Sequence, residues 1–210
     1  MFELSNNITI NLEILDQSKI YIIDNFYRDP YSVLEYFLQE IPPFWKEGGD
    51  GSNNGLYFED RRHHYSSEEI EKVYDALSFL CGRTAQNRQN ILTNVSRFKK
   101  CSFNDYYNNY WWPHLDEGYT GLLYFNNDDE VSGTNLYECL DDDYVAKDEH
   151  KSPWISKDKF RLVKTLYPRF NRLVLFDANK FYHGMNVCND VYFGDQYRMN
   201  QAFFFDPVDK

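Results

Sequence analysis

Two residues with metal-binding chemistry, His114 and Asp116, lie two positions apart in the sequence. In an extended segment, residues i and i+2 point to the same side, so this imidazole and carboxylate can reach one metal ion. A second histidine, His183, follows the apolar run RLVLF that begins at Arg172. Two imidazoles and one carboxylate form a facial triad, which leaves coordination positions open and is typical of non-haem Fe(II) enzymes.

A basic residue follows this predicted triad, because Arg198 opens the last strand-like segment of the chain. A buried arginine can bind a carboxylate through two parallel hydrogen bonds, as a dicarboxylate co-substrate would require. A histidine two positions before an aspartate is by itself a common pattern. The order of the four residues and their strand context favour a metal centre over histidines with structural roles.

The elements that must position these residues are mostly strands. Six segments after residue 90 are short, aromatic and β-branched, and turn residues separate them. These segments are 91–103, 120–125, 134–138, 160–166, 172–176 and 198–205. Many short strands of this kind predict a mainly β jelly roll or a similar double-sheet barrel.

The first 90 residues carry different patterns. The run KIYIID at 19–24 predicts a strand, and Asp29-Pro30 predicts the start of a helix that ends at Pro42-Pro43. A second helix is predicted from about Ser66 or Ser67 to just before Gly82. These helices predict an N-terminal helical layer that flanks the β core. The pair His63-His64 is interpreted as part of a solvated loop.

The bulk composition limits the possible functions. A chain of 210 residues predicts a single domain, and its formal net charge of −11 argues against a nucleic-acid partner. None of the 4 cysteines forms a C-x-x-C pair, so no zinc knuckle or thioredoxin motif is present. No signal peptide and no apolar run of membrane-spanning length is recognised, so we expect a cytoplasmic protein without membrane contact.

Four segments carry a resemblance to a known family: HLD, GTNLYE, NRLVLFDANKFYHGMNV and YRMNQAFFF. They resemble the 2-oxoglutarate/Fe(II)-dependent dioxygenase superfamily, in its prolyl-hydroxylase-like branch. The similarity covers residues 91–206, which implies a double-stranded β-helix (cupin-like) core there, with residues 1–90 as N-terminal helical and strand support. The expected unit is a single dioxygenase domain over 1–210.

The resemblance also implies roles for individual residues. Iron would be held by His114, Asp116 and His183, and the distal carboxylate of 2-oxoglutarate would bind Arg198. Tyr124, in YFN, resembles a family tyrosine that donates to the same carboxylate. Tyr106 is the candidate for a further pocket tyrosine, and Tyr107 and Tyr110 compete with it for that position.

The implied activity is hydroxylation of an unactivated C–H bond, with 2-oxoglutarate converted to succinate and CO2. Fe(II), 2-oxoglutarate and O2 are the implied cofactors and co-substrates, and ascorbate is a candidate reductant. The substrate is expected to be peptidyl, with a prolyl-like target, or a small molecule; oligomeric state is not indicated. Two alternatives stay open: a cupin-like metal enzyme that does not use 2-oxoglutarate, and a non-catalytic jelly-roll binding or structural protein, such as a virion component.

One departure from the superfamily's patterns bears on the substrate. Nucleic-acid demethylases of this superfamily have a second arginine six positions after the first, and this chain has Phe204 there. Together with the acidic net charge, this argues against a role in DNA or RNA repair.

Overall fold

Strands are the main elements of the computed structural model, which describes residues 2–39, 45–47, 58–65, 68–81, 84–86, 91–98, 113–126, 133–141, 157–186, 188–193 and 196–208. The elements before residue 90 are β1 (Thr9–Leu15), β2 (Ser18–Asp24), α1 (Pro30–Gln39), β3 (Trp45–Glu47), β4 (Phe58–Tyr65), α2 (Glu68–Leu80) and β5 (Thr84–Gln86). The later elements are β6 (Ile91–Phe98), β7 (Tyr119–Tyr124), β8 (Thr134–Cys139), a 3-10 helix (Lys157–Lys159), β9 (Phe160–Leu166), β10 (Arg172–Asp177), β11 (Tyr182–Met185) and β12 (Arg198–Val208).

The strands of the described residues form two sheets, and all of the pairings among them are antiparallel. The large sheet has the order β1-β2-β10-β7-β12-β6-β4-β3, with β5 also paired to β12. The small sheet has the order β11-β8-β9. This mainly β, jelly-roll-like arrangement agrees with the fold class that the strand pattern predicts.

The large sheet buries apolar side chains on both faces, because side chains alternate along each strand. On one face, Phe203 and Phe205 of β12 join a core cluster with residues of both helices. The Tyr74 ring of α2 packs edge-on against these two rings, with centroids 6.1 and 5.8 Å away. Helix α2 is therefore fixed to the sheet by aromatic packing.

A second core cluster lies between the two sheets. The large sheet contributes Tyr124, Val174 and Phe176, and the small sheet contributes Leu136 and Leu166. Residues of β7 and β10 with the opposite parity, such as Leu123 and Leu173, belong to the first cluster instead. Successive residues along these strands therefore point in turn towards the helices and towards the interior between the two sheets.

The six strand segments predicted after residue 90 are confirmed, as are the strand at 19–24 and both helix positions. The end of the first of these segments, 99–103, lies outside the described residues. The expected N-terminal helical layer is not supported, because β1 to β5 also come from the first 90 residues. The loop interpretation of His63-His64 is wrong, since both residues lie in β4 and pair with Thr93 and Leu92. Neither described helix is long and apolar enough to cross a membrane.

Asn171 connects three parts of the fold just before β10. Its side chain accepts from the Tyr27 amide and donates to the Tyr27 carbonyl, both at 2.8 Å. Its backbone N–H donates to the Tyr124 carbonyl at 2.8 Å, and its carbonyl accepts from Phe26 at 3.0 Å. The residue has φ 62°, a left-handed conformation that asparagine tolerates better than most residues.

We predict that Asn171→Ala lowers the free energy of unfolding by about 2–4 kcal/mol, because two buried backbone groups of Tyr27 lose their partner. Urea denaturation at neutral pH measures the change. Asn25→Ala is the matched control, since Asn25 is also left-handed (φ 57°) but is exposed. Equal losses in the two variants would contradict the role given to the Asn171 amide.

Candidate metal centre

Three side chains with metal-binding atoms converge between the sheets. One ligand atom each from His114, Asp116 and His183 lies within 4.8 Å of the other two. His183 is buried, and the other two are half-buried. Two imidazole nitrogens and one carboxylate oxygen at this spacing suit a divalent transition metal such as iron, so the donor set fits the ion that the sequence predicts.

The two histidines are placed by the backbone. The His114 N–H donates to the His183 carbonyl at 3.0 Å, and the His183 N–H donates to the His114 carbonyl at 2.8 Å. Residues that exchange both hydrogen bonds in an antiparallel pair lie directly opposite each other, with side chains on one face. Their rings are accordingly close, with centroids 4.4 Å apart.

The His183 ring is fixed on two further sides. Its Nδ1 lies 3.2 Å from the Phe181 carbonyl oxygen, which can only accept a hydrogen bond. With a metal ion bound, Nδ1 would carry the proton of the ring and donate to that carbonyl, and Nε2 would be the metal-binding atom. Phe176 packs edge-on against the same ring at 5.0 Å.

Asp116 is held by hydrogen bonds at both its backbone and its side chain. The Asp116 N–H donates to the Ala178 carbonyl at 3.2 Å. Oδ2 accepts from the Thr120 hydroxyl at 3.1 Å and lies 3.1 Å from Nε2 of His183. Burial opposes ionisation, but the two histidines and the Thr120 hydroxyl outweigh it and lower the pKa of Asp116. The side chain is therefore a carboxylate at neutral pH.

Gly118 allows the chain to leave Asp116 and enter β7. Its φ is +76°, and a Cβ there would lie 2.3 Å from Oδ1 of Asp206 and 2.5 Å from the Phe205 carbonyl oxygen. Its carbonyl accepts from Ala178 at 2.9 Å. A side chain at this position would force the Asp116 segment away from β12.

A second polar group, around Arg198 and Tyr124, lies on the same interior face of the large sheet. Met199, Phe203 and Phe205 of β12 pack on the helix side. Strand alternation therefore places Arg198 and Asn200 on the interior side. Arg198 is 8% exposed and Asn200 is 2% exposed, and Asn200 lies directly opposite Tyr124 in the sheet.

Tyr124 is fully buried, and its hydroxyl lies 2.8 Å from Oγ1 of Thr134. Burial raises the pKa of Tyr124 to about 12, although the positive charge of Arg198 and the hydrogen bond with Thr134 act in the opposite direction. The phenol therefore keeps its proton at neutral pH. A buried guanidinium and a phenol that can donate make an arrangement suited to a carboxylate.

The structure thus brings together His114, Asp116 and His183, and places Arg198 and Tyr124 in the same interior. The predicted pocket tyrosine Tyr106 and its competitors Tyr107 and Tyr110 lie outside the described residues. Gly118, Thr120 and Thr134 also belong to the site, and the sequence did not predict them. Because side chains alternate along β7, Thr120 lies on the same face as Tyr124, and this spacing could have predicted Thr120 as a site residue.

Comparison with known proteins gives matches among solved structures alone. No protein-family model matches the chain, and no curated protein matches it. A prolyl hydroxylase from Trichoplax adhaerens, in complex with a hypoxia inducible factor oxygen degradation domain peptide fragment, aligns with a TM-score of 0.52 and 13% identity, covering 89% of this chain and 83% of that chain. The two proteins share a fold.

Two bacterial structures align less well. A Pseudomonas putida prolyl-4-hydroxylase has a TM-score of 0.38 at 12% identity, covering 84% of this chain and 83% of that chain. A 2OG-Fe(II) oxygenase family oxidoreductase from Burkholderia pseudomallei has a TM-score of 0.43 at 8% identity, covering 83% of this chain and 76% of that chain. Both TM-scores are too low to indicate a common fold by themselves.

We predict that Thr120→Val weakens binding of a divalent metal by about tenfold, because Asp116 loses the hydroxyl that orients its carboxylate. Titration with Mn(II) or Co(II) by calorimetry measures the affinity without turnover. Thr120→Ser keeps the hydroxyl and should bind metal nearly as the unchanged protein does. Unchanged affinity in Thr120→Val would contradict an orienting role for Thr120.

Proposed function

We propose that this protein is a 2-oxoglutarate- and Fe(II)-dependent oxygenase that hydroxylates an unactivated C–H bond. The observation that carries the proposal is that His114, Asp116 and His183 converge within 4.8 Å in an interior that also holds Arg198 and Tyr124. A metal-ligand triad and a carboxylate-binding pair are the two protein components that such a reaction needs.

The finer fold assignment belongs to the same proposal. The His114 segment bridges to β11, so four segments lie on one side in the order His114-β11-β8-β9. Opposite them in the large sheet is the run β10-β7-β12-β6. This four-on-four arrangement supports a double-stranded β-helix core over 91–206, with 1–90 as support.

Within this proposal, each residue of the candidate metal centre has a definite role. Nε2 of His183, one imidazole nitrogen of His114 and a carboxylate oxygen of Asp116 hold the iron. The Phe181 carbonyl fixes the tautomer of His183, and Thr120 fixes the carboxylate of Asp116. Bound iron, with 2-oxoglutarate and O2, supplies the oxidising power for hydroxylation, and 2-oxoglutarate leaves as succinate and CO2.

The co-substrate's distal carboxylate is assigned to Arg198 and Tyr124. Arg198 supplies a permanent positive charge in a buried position, where a carboxylate gains more from pairing than it would in water. Tyr124 would donate a hydrogen bond to the carboxylate, and Thr134 can turn its own hydroxyl towards the phenol oxygen in return. These groups would hold one end of a dicarboxylate in place and leave its other end for the metal.

A peptidyl, prolyl-like substrate is our first candidate, and a small molecule is the second. The support is the shared fold with the Trichoplax adhaerens prolyl hydroxylase, which was solved with a peptide. A cupin-like metal enzyme without 2-oxoglutarate, or a non-catalytic jelly roll, would have no need of a buried arginine on the same interior side as the metal-ligand residues.

The proposal predicts that the purified protein forms succinate from 2-oxoglutarate when Fe(II), O2 and ascorbate are supplied, slowly even without a prime substrate. Mass spectrometry of the products measures this conversion. His183→Ala should abolish both succinate formation and iron binding, because one of three ligands is lost. A protein that binds neither iron nor 2-oxoglutarate and forms no succinate would overturn the proposal.

The role of Arg198 is tested in the same assay. Arg198→Met should raise the 2-oxoglutarate concentration needed for half-maximal turnover by about tenfold or more, while iron content stays intact. Arg161→Met, at an exposed arginine paired with Glu138 in the small sheet, is the matched control and should leave both quantities unchanged. Loss of iron in Arg198→Met would mean that its role is structural.

A further inference from the structure

Strand β1 carries an exposed apolar stripe at the end of the large sheet. The side chains of Ile10, Leu12 and Ile14 are 44%, 48% and 63% exposed. They alternate with polar residues, so all three lie on one face of the strand. Among the described strands, β1 has one neighbour, β2, and ends the sheet. Apolar edge strands of this kind are sites where another chain can pair.

The hairpin register shows which backbone groups face the open edge. Asp16 and Gln17, both with positive φ, form a two-residue turn, and Leu15 pairs with Ser18. The pair that closes such a turn is a hydrogen-bonded pair, and the bonding alternates along the strand. The N–H and C=O groups of Ile10, Leu12 and Ile14 therefore point away from β2, towards the open edge.

The same three residues thus present both the apolar side chains and the unpaired edge of the backbone. Their pattern, Ile-x-Leu-x-Ile, reads the same in both directions. We propose that two copies of this chain associate by antiparallel pairing of β1 with β1 about a two-fold axis at Leu12. In this register Leu12 faces Leu12 of the other copy and Ile10 faces Ile14, with six backbone hydrogen bonds across the axis.

The polar residues of β1 are also complementary in this register. Asn11 of one copy lies opposite Glu13 of the other, so an amide N–H meets a carboxylate rather than two like charges meeting. Glu13 is in addition paired with Lys164 of its own chain, which reduces its negative charge at the interface. Charged side chains often protect an edge strand, because they repel the strand of a second chain. No two like charges face each other in this pairing.

The interface is small, because each copy contributes three apolar side chains from one strand. Such a contact falls below the roughly 1,000 Å² that a tight complex buries. The dimer is therefore weak and concentration-dependent. It joins two large sheets into one continuous sheet.

Sedimentation velocity over a range of concentrations tests the association. The unchanged protein should shift from monomer to dimer as its concentration rises, and Leu12→Lys should lose the dimer because two lysines would face each other at the axis. Phe79→Lys removes an apolar side chain that is 75% exposed on α2 and should leave the dimer intact. A monomer at every concentration, or a dimer that Leu12→Lys does not weaken, would overturn the proposal.

The register is tested by cysteine cross-linking. Cα atoms of a hydrogen-bonded antiparallel pair lie about 5.5 Å apart, which a disulfide can span. Leu12→Cys should give a disulfide-linked dimer under mild oxidation. Asn11→Cys is the control, because its partner across the axis is Glu13, and it should cross-link no faster than the unchanged protein. Equal cross-linking of the two variants would exclude pairing centred on Leu12.

Discussion

The reciprocal hydrogen bonds between the backbones of His114 and His183 are the constraint on which the candidate site depends. Bonds of 3.0 and 2.8 Å place two residues that are far apart in sequence directly opposite each other, with their side chains on one face. The position of Asp116 follows, because it lies two residues further along the same extended segment and binds the turn after β10. The metal-ligand set is thus a consequence of strand pairing rather than of a flexible loop.

Because side chains alternate along β7 and β12, one face of the large sheet packs against the helices and the other lines the interior between the sheets. Phe203 and Phe205 face the helices and anchor them, whereas Arg198 and Asn200 face the interior with Tyr124. The buried Arg198 thus shares the interior with the phenol of Tyr124 and with the metal-ligand residues. Asn171 adds rigidity at the point where Tyr124 ends its strand.

Much of this arrangement could be predicted from the sequence because local patterns encode it. The strand segments, both helix positions and the order of His114, Asp116, His183 and Arg198 are legible in the period and types of the residues. Strand β1 was missed although its partner, β2, follows it after a two-residue turn. The placement of His63-His64 in β4 was missed because the partner strand, β6, follows only after α2. The hydroxyl of Thr120 on Asp116 also depends on the turn at Gly118, whose left-handed conformation only tertiary packing reveals.

Anomalous diffraction at the iron absorption edge, from crystals of the protein loaded with Fe(II) under nitrogen, tests the central claim most directly. One strong anomalous peak is expected within coordination distance of His114, Asp116 and His183, with no comparable peak elsewhere in the chain. An iron peak at other residues, or no peak at this triad in crystals that contain iron, would contradict it.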